Sequence, residues 1–243
     1  MKSEIGAKNE TIRRFILCTT YSVAMAYVES AVVVYLRLAI NRGTRLFPLS
    51  QLPHHLLQIE LAREIATIVM LAAVAALQSR RFRIAIAYFI YCFGVWDLFY
   101  YLWLKLLIGW PASLLSRDVL FLIPLPWLGP VLSPSIVSLI LIGTGIAVLR
   151  LEALGTPLKL TPGDWFGAAV GAGLILTSYT WGVSRFGFTR RPGGYPWWLF
   201  ILGAAIWAGV FLRRIVLVLP TRQFTHSVVH ATPENRKTES DRR

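Results

Sequence analysis

Residues 84 to 108 read IAIAYFIYCFGVWDLFYYLWLKLLI, an apolar run of 25 residues interrupted by only two charges, Asp97 and Lys105. That length exceeds the roughly 20 residues an α-helix needs to cross ~30 Å of hydrocarbon. No water satisfies peptide groups inside a bilayer, so such a segment must bond its own backbone as a helix. Comparable runs at 15–40, 57–77, 135–149, 165–183 and 197–219 carry the pattern through the chain. With 56% hydrophobic and 15% charged residues and a mean hydropathy of +0.58, the 243 residues are too apolar for a soluble domain. The expected class is all-α: a polytopic membrane bundle of about six transmembrane helices.

One apolar stretch breaks the rule. Between the third and fourth spans, residues 118–134 contain Pro124, Pro126, Gly129, Pro130 and Pro134. Proline removes a backbone donor and clashes with the preceding turn, so a continuous helix is not expected there. Irregular backbone at membrane depth must be covered by protein. The segment is therefore expected to be re-entrant or interfacial, a lid hinged at Gly129-Pro130.

The ends are polar. Residues 1–14 form a charged N-terminal segment, 15–219 the bundle, and 220–243 a basic tail with no apolar period, expected to be disordered. The first apolar run is longer than the 7 to 15 residues of a signal-peptide core and carries Glu29, so it reads as an uncleaved span. Six spans place both termini on one side, and 16 of the 25 Lys and Arg residues fall on that side. The positive-inside rule then gives an N-in, C-in protein of the cell's inner (plasma) membrane. The net charge of +13 is explained by these flanking clusters, with membrane lipid as the partner and no nucleic acid. Trp110, Trp127, Trp197 and Trp198 fall near the outer interface, where an indole keeps one edge wet. Gly167, Gly171, Gly203 and Gly209 mark packing faces, within the chain or towards a second copy or another membrane protein.

Polar residues within the spans are costly and mark working sites. At 1.5 Å per residue, Glu29, Glu64 and Asp97 lie roughly 15, 12 and 16 Å below the outer surface on three different helices. Glu60, Arg63 and Glu64 share one helical face by their i, i+3, i+4 spacing. Asp97, Tyr101 and Lys105 repeat every four residues, with Tyr100 beside them and Arg37 higher on the same side. Acids outnumber bases at the deep level, and a surplus carboxylate in low dielectric is protonated or holds a cation. The alternative is an ion-pair network that only locks the helices, for which desolvation makes an expensive design.

Other chemistries find little support. No histidine reaches the deep level, which excludes ordinary haem ligation and weakens a catalytic zinc site, although the carboxylates can hold a divalent cation. His54 and His55 sit in an outer loop, and His226 and His230 in the tail. Cys18 and Cys92 are expected at different depths, which argues against a disulfide or a thiolate metal site. No phosphate-binding glycine loop, nucleotide fingerprint or Ser-His-Asp arrangement occurs. Glu60-Leu-Ala-Arg-Glu64 resembles the glutamate and arginine motif of membrane prenyl proteases, but their histidine motifs are absent and no family follows.

The functional expectation is an outward-facing intramembrane cavity, with Glu29, Glu64 and Asp97 as acid/base groups. Glu60, Arg63, Tyr100, Tyr101, Lys105 and Asp118 would contact substrate. An enzyme acting on a lipid or isoprenoid-like substrate by general acid/base or cation-assisted chemistry fits this pattern. A non-catalytic complex subunit or assembly factor, or a proton- or cation-coupled transporter, are the alternatives; the missing internal repeat counts against transport.

Overall fold

Six helices take up most of the described residues, which are 2–40, 54–186 and 194–218. In the computed structural model they run as α1 (Lys2–Ile40), α2 (His54–Gln78), α3 (Phe82–Ile108), α4 (Leu132–Ala153), α5 (Pro162–Phe186) and α6 (Trp197–Val218). Two short strands, β1 (Arg117–Phe121) and β2 (Trp127–Pro130), lie between α3 and α4. The architecture is thus all-α with one small hairpin. Four helices, α1 over Asn9–Leu38, α3, α4 and α6, are long and apolar enough to cross a membrane. The expected loop over 41–53, the tail and its histidines, and the His54 and His55 side chains lie outside what is described.

Helix α3 is the axis. Helices α1, α2 and α4 all pack on it, whereas α1 and α2 meet each other mainly through polar side chains. Arg14 at the start of the apolar part of α1 donates to the Gln78 carbonyl at the end of α2 at 2.7 Å, so these two helices run antiparallel. The same end carries Arg81 and Arg83 of α3 against Glu152 of α4, at 3.0 and 2.5 Å. There too Arg214 of α6 reaches Asp164 of α5 at 2.6 Å. Thr161, Pro162 and Asp164 start α5 as a capping box. The Thr161 amide donates to the Asp164 carboxylate at 2.6 Å, and proline occupies the first helical position, where no donor is needed. The polar residues before Phe15 continue α1 as helix, and Glu10 pairs along it with Arg13 and Arg14.

Small residues set two close crossings. A Cβ on Gly94 of α3 would lie 2.6 Å from the Ser138 carbonyl oxygen of α4, and one on Gly145 of α4 would lie 2.9 Å from the Ala87 carbonyl oxygen. Between α5 and α6, Gly171 and Gly203 would each meet the other's carbonyl, at 2.8 and 2.7 Å. Backbone contact of this kind is how membrane helices gain dispersion energy without a hydrophobic driving force. Gly167, Gly171 and Gly203 are therefore occupied inside the chain, and Gly209 faces open space.

The proline-rich stretch is an antiparallel hairpin. Arg117 stands opposite Pro130, Asp118 opposite Gly129, Val119 opposite Leu128 and Phe121 opposite Trp127, with a bulge between Val119 and Phe121. Its base is closed by Val131 and Leu132, whose amides donate to Ser116 and Leu114 at 2.9 and 2.8 Å. Aromatic rings fix its faces: Phe121 lies against Phe93 and Trp96 of α3, and Trp127 stacks on Tyr179 of α5. Gly129 and Pro130 are not a hinge. Both are buried in β2, and a Cβ on Gly129 would come within 3.1 Å of the Tyr179 ring. Pro134 does not interrupt structure either, because it falls in the first turn of α4, where its missing donor is harmless.

The two cysteines are at one depth, contrary to expectation. They remain free thiols, both buried, and hydrogen-bond to each other across α1 and α3. Helices α1 and α3 are parallel neighbours, and α1 is already helical from Lys2, well before its first apolar run. That offset brings Cys18 level with Cys92.

Candidate functional site

A cavity of about 80 Å³ opens where α1, α2 and α3 meet the hairpin. Helix α1 contributes Glu29 and Arg37, α2 contributes Glu60, Arg63 and Glu64, and α3 contributes Trp96, Asp97, Tyr100 and Tyr101. The hairpin closes it with Asp118 to Leu122. Among the sequence candidates, Lys105 alone does not line it. Its ammonium donates to the Gly109 and Pro111 carbonyls at 3.2 and 2.9 Å, capping the end of α3, where Gly109 takes the left-handed conformation (φ 68°).

Arg63 is the deep cation, and it stands between two acids. Nε and Nη2 donate to the two Glu60 oxygens at 3.0 and 2.6 Å, one helical turn away, and Nη1 pairs with Glu29. Glu29 also accepts from the Thr67 hydroxyl at 3.0 Å. This group ties α1 to α2, whose backbones otherwise stand apart. Breaking such a buried group by removing its cation leaves acids without counter-charge, which is far costlier than its net worth suggests.

The other three carboxylates have neutral donors as their hydrogen-bond partners. Glu64 is buried and accepts from the Leu122 amide with both oxygens, at 3.2 and 3.0 Å, so α2 holds the end of β1 directly. Asp97 accepts from the Ser138 hydroxyl at 2.6 Å. That contact is available because Gly94, one turn earlier, lets α4 approach α3. Asp118 is 5% exposed and has the Tyr101 hydroxyl and the Val119 amide as donors, yet its Oδ2 has no hydrogen-bond partner. Burial pushes the Asp118 carboxyl up to about 7, against the opposing pull of Arg37, the Val119 amide and Tyr101.

Aromatic groups complete the wall. Tyr100 and Tyr101 meet edge to face at 5.0 Å, and Ser30 of α1 fixes the backbone there by donating to the Tyr100 carbonyl at 3.0 Å. Trp96 is 4% exposed, and its indole Nε1 has no partner. Arg37 lies over the Trp110 ring, 4.4 Å from its centroid, a cation–π contact at the cavity's upper edge. Five carboxylates thus face two guanidiniums.

Chemically, the arrangement offers carboxyl groups that can give or accept protons away from bulk water. No three His, Cys, Asp or Glu side chains among the described residues converge closely enough to hold a metal ion. Sequence reasoning did not find Trp96, Thr67, Ser138 or the Leu122 amide. The serine and threonine carry a faint signal, being polar residues within apolar runs, but a backbone amide carries none. Comparison with family models, with curated proteins and with solved structures returns no significant match to this chain.

Proposed function

We propose that this chain is a membrane-embedded enzyme that acts on the head of a lipid or isoprenoid-like amphiphile by general acid/base chemistry. The observation that carries this reading is the division of labour among the acids. Glu29 and Glu60 hold Arg63, while Glu64, Asp97 and Asp118 face the cavity with neutral hydrogen-bond donors. A carboxyl so placed moves protons more readily than one locked in an ion pair. Glu64 and Asp97 are assigned the acid and base roles, and Glu29 positions Arg63. The substrate's apolar tail lies between helices, and α1 and α2, which scarcely touch, supply the gap. On this reading all six helices span the inner membrane, both termini are cytoplasmic, and the hairpin is an outer interfacial cover.

A second reading has its own support. The links from Glu64 to Leu122 and from Asp97 to Ser138 each join two elements, as a purely structural network in a complex subunit would.

Isosteric variants separate the two. In cells lacking the native chain, Glu64→Gln and Asp97→Asn are expected to insert and melt within a few degrees of wild type in detergent. They should nevertheless fail to restore the wild-type membrane lipid profile. Full restoration by both variants refutes the enzymatic reading; a collapse of stability in both supports the structural one.

A further inference from the structure

At the end of the bundle opposite the hairpin, α5 and α6 part and leave a cleft of about 430 Å³. Thr161 and Asp164 line it from the start of α5, and Gly209, Arg213 and Arg214 from the latter half of α6. Asp164, the acid on this wall, is already satisfied. Its Oδ2 pairs with Arg214 Nη2 at 2.6 Å and accepts from the Thr161 amide and hydroxyl, each at 2.6 Å. The cations are not satisfied. Arg214 Nη2 also donates to the Thr161 hydroxyl at 2.9 Å, but Arg214 Nε is a buried donor with no hydrogen-bond partner. Arg213 is exposed and pairs with none of the described residues. Two guanidiniums against one carboxylate leave the cleft with one positive charge in excess.

The surroundings say where a balancing anion comes from. A methyl on Gly209 would meet no atom within 4 Å, and one on Gly163 only the Thr161 hydroxyl at 3.9 Å, so no side chain occupies this part of the cleft. Trp165 and Phe166, next along α5, are 54% and 73% exposed, as rings turned to lipid are. The cleft thus combines unspent cations with an apolar flank at the level of helix ends, where lipid phosphates lie. Arg80 in the α2–α3 turn, Arg150 in the last turn of α4 and Lys159 in the α4–α5 link add positive charge at this end. Such a field draws anionic lipid towards it. A zwitterionic lipid also carries a phosphate, but its ammonium restores the excess charge and finds only an acid that is already paired.

We propose that this cleft binds the phosphate of an anionic membrane lipid, held by Arg213 and by Arg214 Nε, with the acyl chains along Trp165 and Phe166. The site is distinct from the cavity of Glu64 and Asp97. It holds whether or not that cavity is catalytic.

The full chain in neutral maltoside micelles is titrated with dihexanoyl phosphatidylglycerol, dihexanoyl phosphatidylcholine and inorganic phosphate. Thermal midpoint is the readout, and the choline lipid, of equal chain length, corrects for partition into the micelle. Phosphatidylglycerol alone is expected to raise the midpoint saturably, by an amount that shrinks as salt screens the arginines. One basic residue near an anionic surface is worth about a fivefold change in affinity, so Arg213→Gln should weaken binding by about that factor. Gly209→Leu keeps both arginines, favours helix over glycine and sets a side chain in the cleft. It should abolish saturable binding while leaving the lipid-free midpoint no lower than wild type. Should Gly209→Leu not fold, Arg213→Gln decides, because its side chain is exposed and holds no described residue in place. An equal shift with the choline lipid, a shift with inorganic phosphate, no shift with any probe, or undiminished binding in a folded variant each overturns the proposal.

Discussion

Replacing Gly94 with alanine tests how packing builds the site. The new methyl would sit 2.6 Å from the Ser138 carbonyl oxygen and 2.9 Å from the Ile142 side chain, where ordinary contact begins at 3.4 Å. Helix α4 must therefore withdraw by about 0.8 Å, the difference between 2.6 and 3.4 Å. The Ile142 side chain can turn aside, but the carbonyl cannot. Overpacking of this sort costs about 1–3 kcal/mol. Withdrawal also stretches the 2.6 Å bond from Ser138 to Asp97, worth about 1 kcal/mol within a membrane protein. Gly94→Ala should thus lose about 2–4 kcal/mol in all. Ser138→Ala removes the bond alone and should lose about 1 kcal/mol. Gly143→Ala is the control: no atom lies within 4 Å of its added methyl, and alanine favours a helix by about 1 kcal/mol over glycine. Reversible unfolding in mixed detergent micelles measures all three. The reasoning fails if Gly94→Ala is as stable as Gly143→Ala.

Arg63→Ala should destabilise by about 3–5 kcal/mol, because Glu29 and Glu60 lose their shared cation in a buried setting; Arg63→Lys should recover only part, since one ammonium cannot serve both acids as the fork does. The same micelle unfolding assay decides. Asp118 makes stability depend on pH. Its carboxyl rises from the ordinary 3.8 to about 7, so the folded protein holds a proton in that window that the unfolded chain has lost, and this contribution declines as pH rises from about 4 to 7. Arg37 of α1, Tyr101 and Asp97 of α3 and the Val119 amide face this group, and Asp118→Asn should flatten that part of the thermal midpoint against pH; an unchanged slope contradicts it. For topology, a cysteine at Ser116 should react with an impermeant thiol reagent in intact cells and one at Ser79 should not, with the buried Cys18 and Cys92 silent; the reverse pattern inverts the orientation.

The helices and the deep acids were legible because both follow from local rules. Apolar length fixes a helix in lipid, and a charge such as Glu29 or Asp97 within it draws notice by its cost. The hairpin was not legible. Its strands have five and four residues, too few to show a period, and what holds them comes from far along the chain: Glu64 on one side, Tyr179 on the other. Proline reads as a helix breaker, which is correct here, but says nothing of what replaces the helix. Lys105 was misassigned by treating a four-residue repeat as a straight stripe. Two such steps at 100° per residue turn about 80° away from Asp97, so Tyr101 still faces the cavity and Lys105 does not. The cysteine pairing was hidden because the apolar runs do not show how the helices are offset, and α1 is helical well before its first apolar residue.

The hairpin touches α3 through Phe121, α2 through Leu122 and α5 through Trp127, all outside the helix crossings that hold the bundle together. Nine strand residues have little stability of their own, so their shape is imposed by what they lean on. Divergence among descendants of such a chain is cheaper at Val119 and Leu120, which line the cavity without carrying a helix–helix contact. New ligands can be selected there while Gly94, Gly145, Gly171 and Gly203 stay fixed, leaving the bundle as a frame inherited unchanged beneath a variable cover.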